Sequence, residues 1–262
     1  MIRIKIRKDI GKKKYTLFAI AAFIVVIAIW FIASISGAVS EIFLPNPIKV
    51  VQYYITAIKD GSLWENTRIS IYRISLGFIY AVVLGIPVGI LVGTFKKAEA
   101  VIRPLCEFIR YMPVPAFVPL IMVWVGIGET AKITVIFIGT FFQLVLMVAD
   151  DAMSVPDDLI NAGYTLGTTT PMTIFKILIP AMLPRLMETL RMMIGWAWTY
   201  LVSAELVAAN TGLGYTILKS QRFLSTDAIF GGIILIGFLG LITDRIFAFL
   251  NKKLFPWAEG GR

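Results

Sequence analysis

The sequence predicts an all-α membrane protein with six transmembrane helices and both termini cytoplasmic, and three observations lead there. Of its 262 residues, 58% are hydrophobic and 16% charged, a balance far more apolar than a globular domain with a wet surface carries. The apolar residues gather into segments of about 20, the length a helix needs to cross the hydrocarbon core. The charges fall between those segments, and on this topology eighteen of the twenty-five Lys and Arg lie on the inner side. The net charge of +9 therefore reports membrane orientation and not a nucleic-acid surface. One cysteine, Cys106, and no histidine exclude a disulfide framework and a Cys/His metal centre. Cys106 reads as a small packing residue, and no cofactor is implied.

The elements follow in order. A basic cytoplasmic tail over residues 1–14 carries Arg3, Lys5, Arg7, Lys8, Lys12, Lys13 and Lys14 directly before the first transmembrane helix, 15–35. That apolar run exceeds the core of a signal peptide and lacks a convincing cleavage site, so it is expected to remain attached. Residues 36–70 form an outer interfacial segment. Its Leu44-Pro45-Asn46-Pro47 turn precedes an amphipathic helix over 48–59, Gly61 ends that helix, and a second short helix begins near Leu63.

A five-helix core then spans 71–250. Its first helix, 71–94, carries Gly85, Gly89 and Gly93 at intervals of four, which aligns small residues on one face for close packing. Packing within the subunit is favoured over a contact with a second copy. The next span, 105–125, contains Pro113, Pro115 and Pro119. Each removes a helix donor, and a helix broken at membrane depth is tolerated only against protein or a wet cavity. Pro113 and Pro115 are thus pathway candidates, with a kinked packing helix as the alternative. After an outer turn at Gly126-Ile127-Gly128-Glu129, the fourth span, 132–149, holds Gln143 near its middle. Its amide needs a partner in lipid, either another helix or a solute.

The stretch 155–184 interrupts the apolar pattern. Pro156, Asp157 and Asp158 suit a helix first turn, and Ala162 and Gly163 keep one face thin. Gly167 and Pro171 break that helix; a second follows with Ile174, Phe175, Leu178 and Ile179 at helical spacing until Pro180 and Pro184 interrupt it. Two short helices about a glycine make a rigid knob suited to docking, or a structured connection between spans. The fifth span, 186–207, pairs Glu188 with Arg191 at its inner end, places the aromatic Trp196, Trp198 and Tyr200 in its middle, and has Glu205 near its outer end. The tryptophans read as packing or as pathway lining. Gly212-Leu213-Gly214 turns the chain on the outer side, where Arg68, Arg73 and Arg222 read as surface charges or as a positive lining for an anion. The sixth span, 228–250, leads to a cytoplasmic tail, 251–262.

Asn161-Ala162-Gly163, then Gly167, then nine residues and Ile177-Leu178-Ile179-Pro180, resembles the EAA loop of permease subunits of bacterial binding-protein-dependent ABC importers. Ala162, Gly167, Ile177 and Pro180 fall on that pattern; Asn161 stands where the family has Glu, and Gly163 where it has the second Ala. The blocks LPNPIKV, GSLWENTRISIYRISLGF, GIPVGILVG, PVPAFVPL with VGIGE, AELVAANTGLGYTI and IGFLGLITDRIF resemble the nitrate, sulfonate, taurine and bicarbonate group over nearly the whole chain.

The resemblance implies a type I importer fold and a homodimer of permeases. It also implies two cytoplasmic ATPase subunits and an extracytoplasmic binding protein. The loop residues Asp158, Asn161, Ala162, Gly163, Gly167, Ile177 and Pro180 would then couple to the ATPase. No phosphate-cradling Gly-x4-Gly-Lys-Ser/Thr stretch occurs in the chain, so ATP hydrolysis belongs to a separate subunit and the chain is not itself an enzyme. The alternative is an ATP-independent secondary transporter or channel, although no acidic relay is visible within the spans.

Overall fold

The computed structural model describes residues 10–206 and 209–258, and every regular element among them is helical. Arg3, Lys5, Arg7 and Lys8 of the basic tail, and residues 259–262, lie outside the described residues. In order, the elements are α1 (Lys12–Ile35), α2 (Pro47–Lys59), α3 (Ser62–Thr94), α4 (Lys96–Arg110), α5 (Val114–Val125), α6 (Glu129–Met153), α7 (Asp157–Thr165), α8 (Thr170–Thr173), a π-helical turn (Ile174–Leu178), α9 (Ile179–Leu206), α10 (Leu213–Arg222) and α11 (Thr226–Leu254). By length and composition α1, α3, α6 and α11 can each cross a membrane, and the bent pair α4–α5 makes a fifth span. The sixth expected span, α9, has 28 residues but carries Arg185, Glu188, Arg191 and Glu205, which lower its hydropathy.

Local chemistry sets the helix ends. The Asn46 side chain accepts from Ile48 N and Pro47 occupies the first turn, so α2 begins there. Gly61, at φ +79°, turns the chain, and Asp60 Oδ1 accepts from Ser62 N at 2.9 Å to start the next helix. The short helix expected at Leu63 is no separate element. Nothing between Ser62 and Thr94 stops propagation, so it is the beginning of the 33-residue α3.

α3 and α6 form the central seam. A side chain on Gly77 would collide with Ile136, on Gly89 with Val148, and on Gly93 with Ala149 and Ala152, while one on Gly85 would press on Leu144. Residue numbers rise together on both sides, so α3 and α6 run parallel, and the glycine spacing serves packing within the subunit. Two parallel spans need the chain to cross back between them. That return is α4 plus α5, about 22 and 18 Å long; with their bend of 103° they reach about 25 Å end to end, which leaves the flanking turns to complete a crossing of about 30 Å.

The third span expected over 105–125 begins earlier, at Lys96, and is broken as its prolines foretell, into two helices meeting at 103°. The break falls at Tyr111, Met112 and Pro113: proline disfavours helical geometry in the residue before it, and Pro113 is the extended N-cap of α5. Pro119 sits inside α5 without ending it.

α9 corrects another expectation. Pro180 and Pro184 do not interrupt the second loop helix, which passes from Thr170 through the π turn and on to Leu206. In the widened turn Ile179 N bonds to Ile174 O, five residues back, which relieves the carbonyl crowding that a following proline imposes. α9 lies antiparallel on α6, with Thr189 beside Asp151 and Tyr200 over Gly139. α11 packs along α9, α10 and α2, where Tyr54 Oη donates to Gly231 O at 2.6 Å. α1 stands apart and touches the body through Trp30, which stacks on Phe230 and donates to Pro45 O.

The seam predicts a graded response to added methyl groups. Gly89→Ala would put a Cβ within 2.6 Å of Val148 Cβ and 2.8 Å of Val145 O, and should cost about 1–3 kcal/mol. Gly237→Ala meets open space and should leave thermal stability in detergent unchanged or raised. Equal melting shifts for the two would contradict the packing.

Candidate functional site

Two regions carry the functional candidates: the loop between α6 and α9, and the vertex of the broken span. The loop is built from its caps. Pro156 is the N-cap residue of α7, with Asp157 and Asp158 in the first turn, complementing the positive helix end. Gly167, at φ +84°, closes α7: Gly167 N bonds Tyr164 O at 2.9 Å and Thr168 N bonds Gly163 O at 3.1 Å, the paired bonds of a Schellman motif. Thr168 and Thr173 hydroxyls then meet at 2.7 Å and hold the start of α8 against the turn. Gly163 is buried because the tip of Ile177 occupies the space where its side chain would be. Asp158, Asn161 and Ala162 are exposed on α7, Ile177 is half-buried, and Pro180 is exposed on the first turn of α9.

The knob ends in apolar side chains turned outward. Leu166 is 85% exposed and Phe175 71%, and Leu159 and Tyr164 are exposed on α7. Exposed apolar side chains on a cross-bonded, two-helix support fit a partner surface.

The pathway candidates divide. Pro113 caps α5, Pro115 occupies its first turn, and both are exposed beside the vertex. Gln143 is half-buried and accepts from Arg110 Nη1 at 3.4 Å, an interhelical contact. Trp196 is exposed and stacks on Tyr200 at 6.2 Å, and the Tyr200 ring lies 2.7 Å from where a Gly139 side chain would begin. Gly139 and Gln143 are one turn apart on the same face of α6, so these aromatics and the amide share one wall. Trp198 points elsewhere: it is buried, and its Nε1 donates to Thr243 Oγ1 on α11 at 3.1 Å.

A third cluster escaped the sequence reading. Arg73, expected as a surface charge, is completely buried at the end of the seam. Its Nε and Nη2 donate to the two Glu129 oxygens at 2.6 and 2.7 Å, while Nη1 donates to Glu205 Oε1 at 2.6 Å and Thr211 O at 2.7 Å. Glu205, also wholly buried, accepts from Ser70 Oγ and Gly214 N at 2.7 Å each. Lys132 Nζ joins through Glu129. Gly212 fits because any side chain there would strike the Glu205 carboxylate. The knot fastens α3, α6, α9 and the start of α10. Its signal was present: Asn66, Ser70 and Arg73 continue the stripe of Gly77, Ala81 and Gly85 by one helix face, so Arg73 had to be buried with them. At the other end Arg191 pairs chiefly with Asp244 of α11, at 2.6 and 2.9 Å, and more loosely with Glu188 at 3.3 Å.

With this geometry in place, the chain can be set beside known proteins. Residues 85–256 match the family described as binding-protein-dependent transport system inner membrane component. The chain belongs to this family. The permease is 34% identical over 253 residues to the putative aliphatic sulfonates transport permease SsuC of Bacillus subtilis, covering 96% of this chain and 92% of that one. It is 32% identical to the taurine transport system permease TauC of Escherichia coli, over 91% and 89% of the two chains. It is 30% identical to the bicarbonate transport system permease CmpB of Synechococcus elongatus, over 90% and 88%. These relatives place the permease in the nitrate, sulfonate, taurine and bicarbonate group. Among solved structures, the inward-facing MetNI methionine ABC transporter aligns with a TM-score of 0.59 at 22% identity, over 69% of this chain and 92% of that one. The shared fold is that of a type I importer permease. The permease is a multi-pass transport subunit and not a catalytic protein.

Breaking the buried knot should be costly. Arg73→Met strands the buried Glu205 carboxylate and should lower stability by about 3–5 kcal/mol, whereas Glu205→Ala leaves Arg73 paired with Glu129 and should cost less. The double variant should lose less than the sum, because neither charge is left alone. Thermal unfolding of the purified permease checks both, and additive losses would show the two side chains to be uncoupled.

Proposed function

We propose that this permease forms the transmembrane pathway of an ATP-driven importer for a small solute of the sulfonate, taurine, nitrate or bicarbonate kind. In this reading α9 completes six spans, both termini are cytoplasmic, and the loop 155–184 faces the cytoplasm. Two copies of the chain pair as a homodimer, two cytoplasmic ATPase subunits dock on the loops, and an extracytoplasmic binding protein delivers the solute.

The observation that carries the reading is helical continuity behind the knob. Leu166 and Phe175 present an apolar docking surface, and the chain runs from Thr170 to Leu206 without a break. A force applied at the knob passes directly into α9, whose far end is tied to α3 and α6 through Glu205. Closure of two ATPases would bring two knobs together and tilt the attached spans, opening the pathway outward; hydrolysis would return it inward. This is rigid-body alternating access. Asn161 in place of a carboxylate leaves the docking to shape and apolar contact.

The test is co-expression of the permease with an ATPase encoded beside it, followed by ATP hydrolysis in liposomes with the binding protein loaded with taurine, a sulfonate, nitrate or bicarbonate. Co-purification and stimulated hydrolysis are expected. Gly167→Val, which forces a β-branched residue to φ +84°, should lower transport by about tenfold or more with membrane insertion intact. A permease that purifies alone and moves solute without ATP would overturn the importer reading in favour of a secondary transporter or channel.

A further inference from the structure

Arg110 ends α4, at the vertex where the broken span turns into α5. Two contacts fix its depth. Arg103 Nη2 donates to Asp150 Oδ1 at 2.7 Å, and seven residues further on Arg110 Nη1 donates to Gln143 Oε1 at 3.4 Å. Both helices advance by the same interval in opposite directions, so Arg110 has risen about 10 Å from the level of Asp150. Gln143 itself stands about 21 Å from the start of α6 and about 15 Å from its end. Arg110 is thus near the middle of a hydrocarbon layer about 30 Å thick.

At that depth it is exposed. A guanidinium facing acyl chains is costly, and charges within spans face protein or a water-filled space. Arg73, Arg103, Arg185 and Arg191 each meet a carboxylate. Arg110 meets none among the described residues. Its contacts are neutral: Gln143 Oε1, the Tyr111 hydroxyl at 3.0 Å from Nη2, and the Tyr111 ring, 4.8 Å from the guanidinium carbon. Both partners accept from it and retain donors of their own, the Gln143 amide NH2 and the Tyr111 O–H. The guanidinium retains further N–H groups. Glu107, one turn back on α4, lies 3.9 Å from Arg103 Nη1, so what remains open at the vertex is the Arg110 charge with donors beside it.

We propose that Arg110, Gln143 and Tyr111 form a mid-depth station for a small oxyanion on the transport pathway. The proposal rests on the reading of this chain as a solute pathway and names the chemistry of its solute: oxygen acceptors in a plane or tetrahedron, matched by the guanidinium fork. The wall of Trp196 and Tyr200 along the same face of α6 adds apolar surface for the remainder of the solute. Binding is transient because the site offers one charge and two neutral donors, so the anion can leave.

The test reads water and charge at the vertex directly, without knowing the solute. In the full-length permease in membranes, Cys106→Ala removes the one native thiol and Met112→Cys places a new one two residues from Arg110. Its rate of modification is measured with an anionic sulfonatoethyl and a cationic trimethylammonioethyl methanethiosulfonate. We expect modification by both, with the anionic reagent favoured, and a drop of about tenfold in the anionic-to-cationic rate ratio on adding Arg110→Gln. Arg110→Lys should retain most of the ratio, since the charge persists. Sodium methanesulfonate, as a probe oxyanion, should slow modification with Arg110 and not with Arg110→Gln. Absence of modification by either reagent, or a ratio indifferent to Arg110, would overturn the station. Neither readout involves ATP, so failure here is distinct from failure to assemble with an ATPase.

Discussion

Gly77, Gly89 and Gly93 allow the backbone of α3 to lie against α6 at a separation that no side chain on those positions would permit, and Gly85 keeps the same face thin between them. Because that seam is parallel, the chain must recross the membrane between its two halves, and it must do so in the 34 residues left between Thr94 and Glu129. α4 and α5 are the consequence. They are wedged against a seam already formed, and the break at Pro113 lets a pair of short helices fill an oblique route where one straight helix would not fit. In lipid such a seam is held by dispersion and by the closeness of approach, since burying apolar surface gains little from a solvent that is itself apolar.

The ends of the seam are fastened differently. At one end Arg73, Glu129, Glu205, Ser70 and Lys132 satisfy one another, and the backbone N–H of Gly214 completes the set. At the other, Asp151 accepts from Thr189 and Arg185, and Arg191 reaches Asp244. α9 takes part in both. Its charged residues lower its hydropathy, yet each of those pairings is a fixed point along it, so the helix that looks least suited to lipid is the best anchored to protein. That is also what an element needs if it is to carry motion from an exposed knob to a buried seam.

The π turn belongs to the same account. A helix that carries two prolines near its start would ordinarily kink or end, and the widened turn absorbs the first of them before α9 begins. The knob is thereby rigid with respect to the helix that follows it, while Gly167 permits the reversal between α7 and α8. Rigidity toward α9 and a sharp turn toward α7 come from adjacent pieces of sequence with opposite tasks.

What depends on composition and near neighbours was legible in the chain alone. Apolar runs gave the spans, Asn46-Pro47 and Pro156 gave helix starts, Gly167 gave the turn in the loop, and the EAA-like spacing with the ordered blocks placed the chain in its family. Each is a one-dimensional signal, because caps, turns and hydropathy act within a few residues. Tertiary structure decided what depends on who is opposite. The prolines at 113 and 115 announced a disturbance, but only the parallel seam required a vertex with a bend of 103°. Arg73 looked like any charge near a span end until Glu129 and Glu205, 56 and 132 residues away, were brought to it. Nothing beside Arg110 in the chain marks its depth, which became visible only when Gln143 supplied the level. Pairing across such separations is a property of packing, and no local pattern encodes it.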